Sequence, residues 1–218
     1  MKIKPNTALQ MKDHYLQYYR QHDNYKLEEM AIKDRGYEFA KSIKFIFDRR
    51  TSDLIITGDY GYAIFSWYSN QNSLGTIHEY IENDYNYFAT KCVTSSRPLY
   101  IFSHEQAKKD IEEWLEDCSF KSSLLDDLGI FDMYTKEDII RRLIGCIDEY
   151  KGFDLRNDIY DAGDDIEKVL EFIDDDWQES ALFWGKTLSE IVPLWVHALD
   201  LGFRWKKQQE RKDKNGRT

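Results

Sequence analysis

Alternating apolar and polar side chains identify strands in the first third of the chain. In "KSIKFIFD", residues 41–48, every second residue from Ile43 to Phe47 is apolar, which is typical of a half-buried strand. The short apolar run "DLIIT" (53–57) and the aromatic "YAIFSWY" (62–68) follow after polar turns. We therefore expect residues 41–68 to form an antiparallel meander.

Two glycines surround an Asp-Tyr pair in "GDYG", residues 58–61. Gly58 and Gly61 can adopt positive φ, and Asp59 can bond the local backbone, as a hairpin loop requires. A phosphate-binding loop would instead lead into a helix N-terminus. Because a strand pattern follows here, we interpret the stretch as a hairpin turn.

From residue 73 the apolar period becomes helical, and short polar residues occupy the positions where helices begin. "DYNYFATKC" (84–92) places Tyr85, Phe88 and Cys92 on one helical face, and a short strand is predicted at 99–102. The closing helix has Pro193 in its first turn and Gly202 as its weakest position. The predicted N-caps are Thr76 with Glu79, Asp84, Ser103 with Gln106, Thr135, and Asp164.

Because strands precede helices, the pattern favours an α+β fold. We expect an N-terminal antiparallel meander of three to four strands packed against five to six helices. A single domain, 1–218, is the simplest organisation. Charge and periodicity both change near residue 103, which leaves open a mixed sheet/helix part, 1–103, and an acidic helical part, 104–218.

Composition indicates a folded, soluble protein. Aromatic residues make up 15% of the chain, whereas disordered chains are usually aromatic-poor. The apolar runs are shorter than the ~20 residues that cross a bilayer, and the N-terminus lacks the apolar stretch of a secretory signal. Three widely spaced cysteines, Cys92, Cys118 and Cys146, predict reduced thiols in a cytoplasm.

The net charge of −10 is unevenly distributed. Residues 104–190 carry 10 Lys/Arg against 25 Asp/Glu, while both ends of the chain are mildly basic. Such a block repels nucleic acid and attracts basic surfaces. It is also the composition of helices that simply have solvated acidic faces, so both interpretations remain open.

Three candidate motifs for chemistry are incomplete. "HEYIE" (78–82) and "HEQAK" (104–108) begin like a zinc-protease helix but lack its second histidine. "SALFWGKT" ends like a phosphate-binding loop, but Ser180 occupies the position of its first glycine. The acidic run "DAGDDIEKVLE" (161–171) lacks the ligand spacing of a calcium loop. We therefore predict no metal site and no cofactor.

"GDYGYAIFSW" (58–67), followed by "DYNYFATKC" (84–92), resembles a pattern in small uncharacterised proteins of phages and prophages of Gram-positive bacteria. Those proteins carry a GD-x-G-x-A hairpin and a Y-F-x-x-K-C helix, and "IVPLWVHALDLGF" (191–203) is similar to their closing helix. The resemblance covers residues 53–94 and 191–203 but hardly the acidic block. It implies a phage accessory protein in the bacterial host cytoplasm and assigns no activity or site residue.

The favoured hypothesis is a binding protein whose acidic block occupies the nucleic-acid site of a basic bacterial protein by charge complementarity. In the phage setting, that partner would be a defence nuclease or CRISPR effector, and the protein would act as an anti-CRISPR or other anti-defence inhibitor. No direct nucleic-acid or membrane binding is expected, and the oligomeric state is left open. The candidate contact residues are Glu112, Glu113, Glu116, Asp117, Asp126, Asp127, Asp161, Asp164, Asp165, Asp174, Asp175, Asp176 and Trp177, with Trp114, Tyr134, Tyr160 and Trp184 as further aromatic anchors.

The alternative is a small enzyme or ligand-binding protein with a pocket near the hairpin. Asp59, Tyr60, Lys91 and Cys92 would then face one another, and Cys92 would be an activated thiol. The absence of a complete catalytic motif favours binding over catalysis.

Overall fold

The structure is a computed structural model that describes residues 11–35, 41–68, 73–81, 84–118, 135–146 and 164–215. The chain divides into two compact units. Unit 1 comprises residues 1–99 and 188–218, and unit 2 comprises residues 100–187. The division falls close to the change near residue 103, but residues 188–218 group with the sheet rather than with the acidic segment.

Unit 1 contains one antiparallel sheet of six strands in the order of the chain. The α+β class is confirmed, whereas the predicted count of three to four strands is too small. The strands are β1 (His14–His22), β2 (Leu27–Asp34), β3 (Ser42–Asp48), β4 (Asp53–Gly58), β5 (Ala63–Ser66) and β6 (Cys92–Ser95).

The hairpin of β1 and β2 precedes the strands that the sequence predicted. A β-bulge between Leu16 and Tyr18 shifts the register of β1. An extra residue of this kind interrupts the alternation of faces, so the apolar period of the strand is broken in the sequence. The two strands are joined by a short 3-10 turn, Asp23–Tyr25.

The described residues form seven α-helices, against the five to six expected. In chain order they are α1 (Leu74–Ile81), α2 (Tyr85–Thr90), α3 (His104–Asp117), α4 (Lys136–Cys146), α5 (Asp164–Ile173), α6 (Trp177–Ala181) and α7 (Ile191–Asn215). No helix in the described ranges combines the length and the apolarity that crossing a membrane requires.

Helices α1, α2 and α7 contribute to the core of unit 1, which forms on one face of the sheet. Phe45 and Phe65 are fully buried on that face. The Phe65 ring stacks on Phe88 with centroids 4.0 Å apart, and it meets Trp195 edge-on at 6.1 Å. Such aromatic pairs add to the free energy gained by burying their surfaces.

Two predicted details of these helices are wrong. Helix α1 begins at Leu74 and is capped by Ser73, whose Oγ accepts the Thr76 N–H at 3.1 Å, so Thr76 lies inside the first turn. Helix α2 is capped by Asp84 as expected but ends at Thr90. Cys92 therefore begins strand β6 instead of lying on the helical face.

Unit 2 contains α3 to α6 and a separate two-stranded sheet, in which β7 (Tyr100–Phe102) pairs with β8 (Lys186–Leu188); the last residue of β8 is the first residue of the second segment of unit 1. Ser103 caps α3 by accepting the Gln106 N–H at 3.2 Å, as predicted. Thr135 caps α4, and its Oγ accepts the Asp138 N–H at 3.1 Å. The core of this unit is distinct from that of unit 1, and its fully buried members include Ile111, Leu115, Ile139, Leu170 and Trp177.

Candidate interaction surface on the acidic helical unit

The acidity of the chain coincides with unit 2. Residues 100–187 carry 10 Lys/Arg against 24 Asp/Glu, a net charge of −14. The remaining residues carry 20 against 16, a net charge of +4. The two units therefore have charges of opposite sign, and the boundary between them is a structural one.

Helix α3 presents carboxylates on the face opposite its buried stripe. Ile111, Trp114 and Leu115 are buried. At helical spacing this burial leaves Glu113, Glu116 and Asp117 exposed, with Glu112 only partly so. This geometry places the carboxylates of α3 on its outward face, together with Lys108 and Lys109.

Lysines one turn earlier on α3 partly compensate these charges. Lys109 Nζ lies 3.3 Å from Glu113 Oε1, and Lys108 Nζ lies 3.8 Å from Glu112 Oε1. Exposed pairs of this type contribute only ~0.3–0.5 kcal/mol and are screened by salt. Both carboxylates can therefore exchange their lysine for a cation of a partner at little cost.

A groove of about 490 Å³ runs between α3 and α4. Glu112 and Glu116 line it from α3, and Glu137 lines it from the first turn of α4. Ile140 and Ile144 provide its apolar portion, and Lys108 and Arg141 supply the cations. Sequence reasoning missed Glu137, although its place in the first turn after the Thr135 cap could have indicated it.

Asp174 has a structural role instead of a contact role. Its Oδ2 accepts the indole N–H of Trp114 at 3.1 Å, and its Oδ1 accepts the Asp176 N–H at 3.1 Å. Burial, followed by the charge of Asp174, raises the pKa of the neighbouring Cys118 thiol. Asp175 and Asp176 are exposed and remain available to a partner.

The tryptophans proposed as interface anchors belong to the core. Trp177 is fully buried, and Trp114 and Trp184 are 8% and 4% exposed. The rings of Trp114 and Trp184 meet edge-on with centroids 5.2 Å apart. The assignment of these three residues to a binding surface is therefore wrong, because a helical unit of this size needs their apolar area inside.

Several candidates cannot be placed on this surface. Asp126, Asp127, Tyr134, Tyr160 and Asp161 lie outside the described residues. Asp164 and Asp165 begin helix α5, but only the backbone of these two residues is described.

The "GDYG" stretch forms the turn between β4 and β5, as the sequence predicted. Gly58 and Gly61 have φ values of 134° and 97°, and the Gly61 N–H donates to the Gly58 carbonyl at 3.1 Å. The Asp59 carboxylate accepts the backbone N–H of Ser42 at 2.7 Å. This bond, to strand β3 instead of the turn itself, lowers the pKa of Asp59.

Tyr60 points toward the start of β1. Its hydroxyl lies 3.3 Å from Nε2 of His14, and Lys41 Nζ lies 5.5 Å from the ring centroid. Burial raises the pKa of Tyr60 and lowers that of His14. The contacts of Asp59 and Tyr60 therefore give both side chains a structural role.

Lys91 and Cys92 lie at the other end of β5 from the turn. Cys92 pairs with Phe65, whereas Ser95 pairs with Ala63 beside the turn. Burial raises the pKa of the Cys92 thiol, which donates to the Thr94 carbonyl at 3.2 Å. The structure therefore does not bring Asp59 and Tyr60 together with Lys91 and Cys92 in one pocket, because the register separates them along the strands.

Among the side chains that the structure describes, no three His, Cys, Asp or Glu residues are grouped so that they could hold a metal ion. Comparison of the chain with protein-family models, with curated proteins and with solved structures finds no match. The resemblance to phage proteins stays a prediction.

Proposed function

We propose that the protein acts by binding a basic protein through the acidic surface of unit 2. This surface comprises the outward carboxylates of α3 (Glu113, Glu116 and Asp117) and the adjoining groove between α3 and α4. The partner contributes lysines and arginines that replace the intrahelical cations, and the interface is formed mainly by charge complementarity.

The observation that carries this proposal is the confinement of the negative charge to one compact unit, a net −14 over residues 100–187. A solvated helix needs charged residues for solubility, but these charges do not have to be of a single sign. A field of one sign over one unit accelerates association with a basic partner and disfavours acidic ones.

The phage resemblance gives this binding a biological setting. A protein surface that is basic because it binds nucleic acid is the natural complement of an acidic helical face. We therefore infer that the partner is a bacterial defence nuclease or CRISPR effector whose nucleic-acid site the acidic surface occupies. The protein would then inhibit by competition, without any reaction of its own.

The test compares the full chain with two charge variants. Glu113→Gln, Glu116→Gln and Asp117→Asn together neutralise the face of α3. Glu79→Gln, Glu210→Gln and Asp213→Asn remove the same number of exposed carboxylates from unit 1. Each tagged protein is used to capture partners from the bacterial host at low and at physiological salt, and the affinity for the purified partner is then measured.

We expect one stoichiometric basic partner whose binding weakens as salt rises. Three surface pairs of roughly 0.5 kcal/mol each predict about tenfold weaker binding for the α3 variant. The unit 1 variant should change affinity by much less. Binding that is insensitive both to salt and to the α3 substitutions would contradict the proposal.

A further inference from the structure

Among the described residues, the second face of the unit 1 sheet contributes no side chain to either hydrophobic core. The core side chains of β2 to β5 alternate with residues that point the other way. Ile46, Ile55 and Ile64 lie on this outer face, and none of them belongs to a core cluster. Ile55 is 37% exposed, and the other two are partly exposed.

The three isoleucines form one continuous row across the sheet. Ile46 on β3 pairs with Ile55 on β4, and Ile55 pairs with Ile64 on β5. Glu29 continues the row on β2, and Thr94 continues it on β6. Since neighbouring strands lie ~4.8 Å apart, the apolar part is a band about 10 Å long at the centre of the face.

An antiparallel sheet with one face in water usually carries polar side chains there. Cross-strand pairs of β-branched residues also stabilise a sheet without any partner. Sheet stabilisation explains why these three positions carry β-branched residues, but it does not explain why the residues are apolar, because threonine has the same branching and a polar group. Thr57 on β4 and Thr94 on β6 occupy outer positions, so threonine is used elsewhere on this face.

Charges of opposite sign flank the isoleucine row on its two sides. Lys33 and Lys44 lie on one side, and Asp48 and Asp53 lie on the other. Within the chain, Lys44 Nζ is 3.4 Å from Glu29 Oε2, and Lys44 keeps 35% of its side chain exposed. Both carboxylate oxygens of Asp48 accept from Arg50, at 3.0 and 2.6 Å, so Asp48 binds a lysine of another molecule only by exchanging Arg50. On the lysine side, the Asp59 carboxylate lies beside Ser42.

This arrangement is complementary to itself. Consider two copies of the sheet that pack face to face about a two-fold axis parallel to the isoleucine row and midway between the sheets. The isoleucine row of one copy then lies on that of the other, and the lysine side of each sheet lies over the aspartate side of its partner. Lys44 of each molecule then faces Asp48 of its partner, while residue 55 faces residue 55. Two sheets packed in this way lie ~10 Å apart with their strands roughly aligned.

From the isoleucine row and its flanking charges, we propose that the outer face of the unit 1 sheet is the interface of a homodimer. The occupant of this face is a second copy of the same chain, packed sheet on sheet about a two-fold axis along Ile46, Ile55 and Ile64. This dimer does not depend on the partner proposed for unit 2.

The first experiment measures the mass of the full chain by sedimentation over a range of concentrations. The wild type should form dimers in a concentration-dependent manner, also at high salt because the centre of the interface is apolar. Ile55→Asp should weaken dimerisation at least tenfold, and Ile55→Thr should weaken it while keeping a β-branched side chain. Gln21→Asp adds the same charge at an exposed position of β1 that points to the other face, so it should leave the dimer intact.

A second experiment tests the position of the axis. Ile55→Cys should be cross-linked to itself by a short bismaleimide, whereas Gln21→Cys and the wild type, with its native cysteines, should give only background. A wild type that stays monomeric at its highest attainable concentration would overturn the proposal. So would a dimer that both Ile55 variants leave unchanged, which would indicate another surface. Circular dichroism confirms that each variant is folded.

Discussion

Gly202 determines how closely α7 approaches the sheet. A Cβ at this position would clash with Met30 Sδ and lie 2.9 Å from Ile32 Cδ1. Both of those residues are fully buried on β2. From the sequence, Gly202 is only a weak point in a helix, because the strand that requires a glycine there lies near the other end of the chain.

Gly202→Val should therefore destabilise unit 1, although glycine is a poorer helix former than valine by about 0.3 kcal/mol. We expect the overpacking to lower the free energy of unfolding by about 1–3 kcal/mol. Gly145→Ala on α4 is the control at an open position, because none of the described residues comes within 4 Å of the place that its Cβ would occupy. That change should stabilise its helix by up to ~1 kcal/mol. Denaturant unfolding measures both, and a stabilised Gly202→Val protein would contradict the packing argument.

At the scale of elements, Asp174 joins the end of α5 to α3 and to the start of α6. Its side chain binds Trp114 on α3, and its backbone carbonyl accepts the Trp177 N–H at 3.1 Å. Asp175, the next residue in an apparently uniform acidic run, is exposed. Neighbouring carboxylates thus have different roles.

Asp174→Ala should destabilise unit 2 by about 1–3 kcal/mol, because it leaves the buried indole N–H of Trp114 without its acceptor. Asp174→Asn keeps an acceptor oxygen and should cost less. Asp175→Ala should change stability by no more than ~0.5 kcal/mol. Thermal unfolding of the three variants separates the roles, and equal losses at positions 174 and 175 would show that the hydrogen bond is unimportant.

The sequence predicted elements best where local signals are complete. Strands β3 and β5 follow from their alternation, β4 follows from its short apolar run between polar turns, and the caps Asp84, Ser103 and Thr135 follow from short polar residues at helix starts. The β1 bulge hides one strand from any period-based reading. The burial of the tryptophans depends on contacts between segments far apart in the chain, such as that between Trp114 on α3 and Trp184 in the turn after α6. Local sequence patterns do not contain that information.

The same limit applies to the candidate sites. The acidic face of α3 was predictable because one helix supplies both its buried stripe and its outward carboxylates. Whether Asp59, Tyr60, Lys91 and Cys92 share a pocket depends on the register between β5 and β6, which cannot be inferred from the sequence. The hypothesis of a shared pocket assumed that the hairpin turn faces Lys91 and Cys92, whereas the pairing of β5 with β6 places the two pairs of residues at opposite ends of the strands.

At the scale of the whole molecule, the two units have separate hydrophobic cores. Phe45 and Leu115 are each fully buried, the first in unit 1 and the second in unit 2. Cooperative unfolding units often coincide with such independent cores. The chain is therefore expected to lose its structure in two steps.

Phe45→Ala should cost about 3–5 kcal/mol, and Leu115→Ala about 2–5 kcal/mol. Native-state hydrogen exchange shows which part of the chain loses stability in each variant. Phe45→Ala should reduce protection in the described parts of residues 11–99 and 188–215 and leave residues 100–187 largely unchanged, and Leu115→Ala should do the opposite. Equal loss of protection throughout the chain in both variants would show that the cores unfold as one.

The chain leaves unit 1 after Leu99 and returns to it at Leu188, and these two points are adjacent. The Ser189 N–H donates to the Leu99 carbonyl at 2.8 Å, and β7 pairs with β8 immediately beyond. At the level of the gene, the segment that encodes unit 2 is an insertion within the segment that encodes unit 1. Because unit 1 holds both ends of the junction, we expect the sequence of unit 2, and with it the binding surface proposed for this unit, to be able to diverge while the sheet of unit 1 is kept.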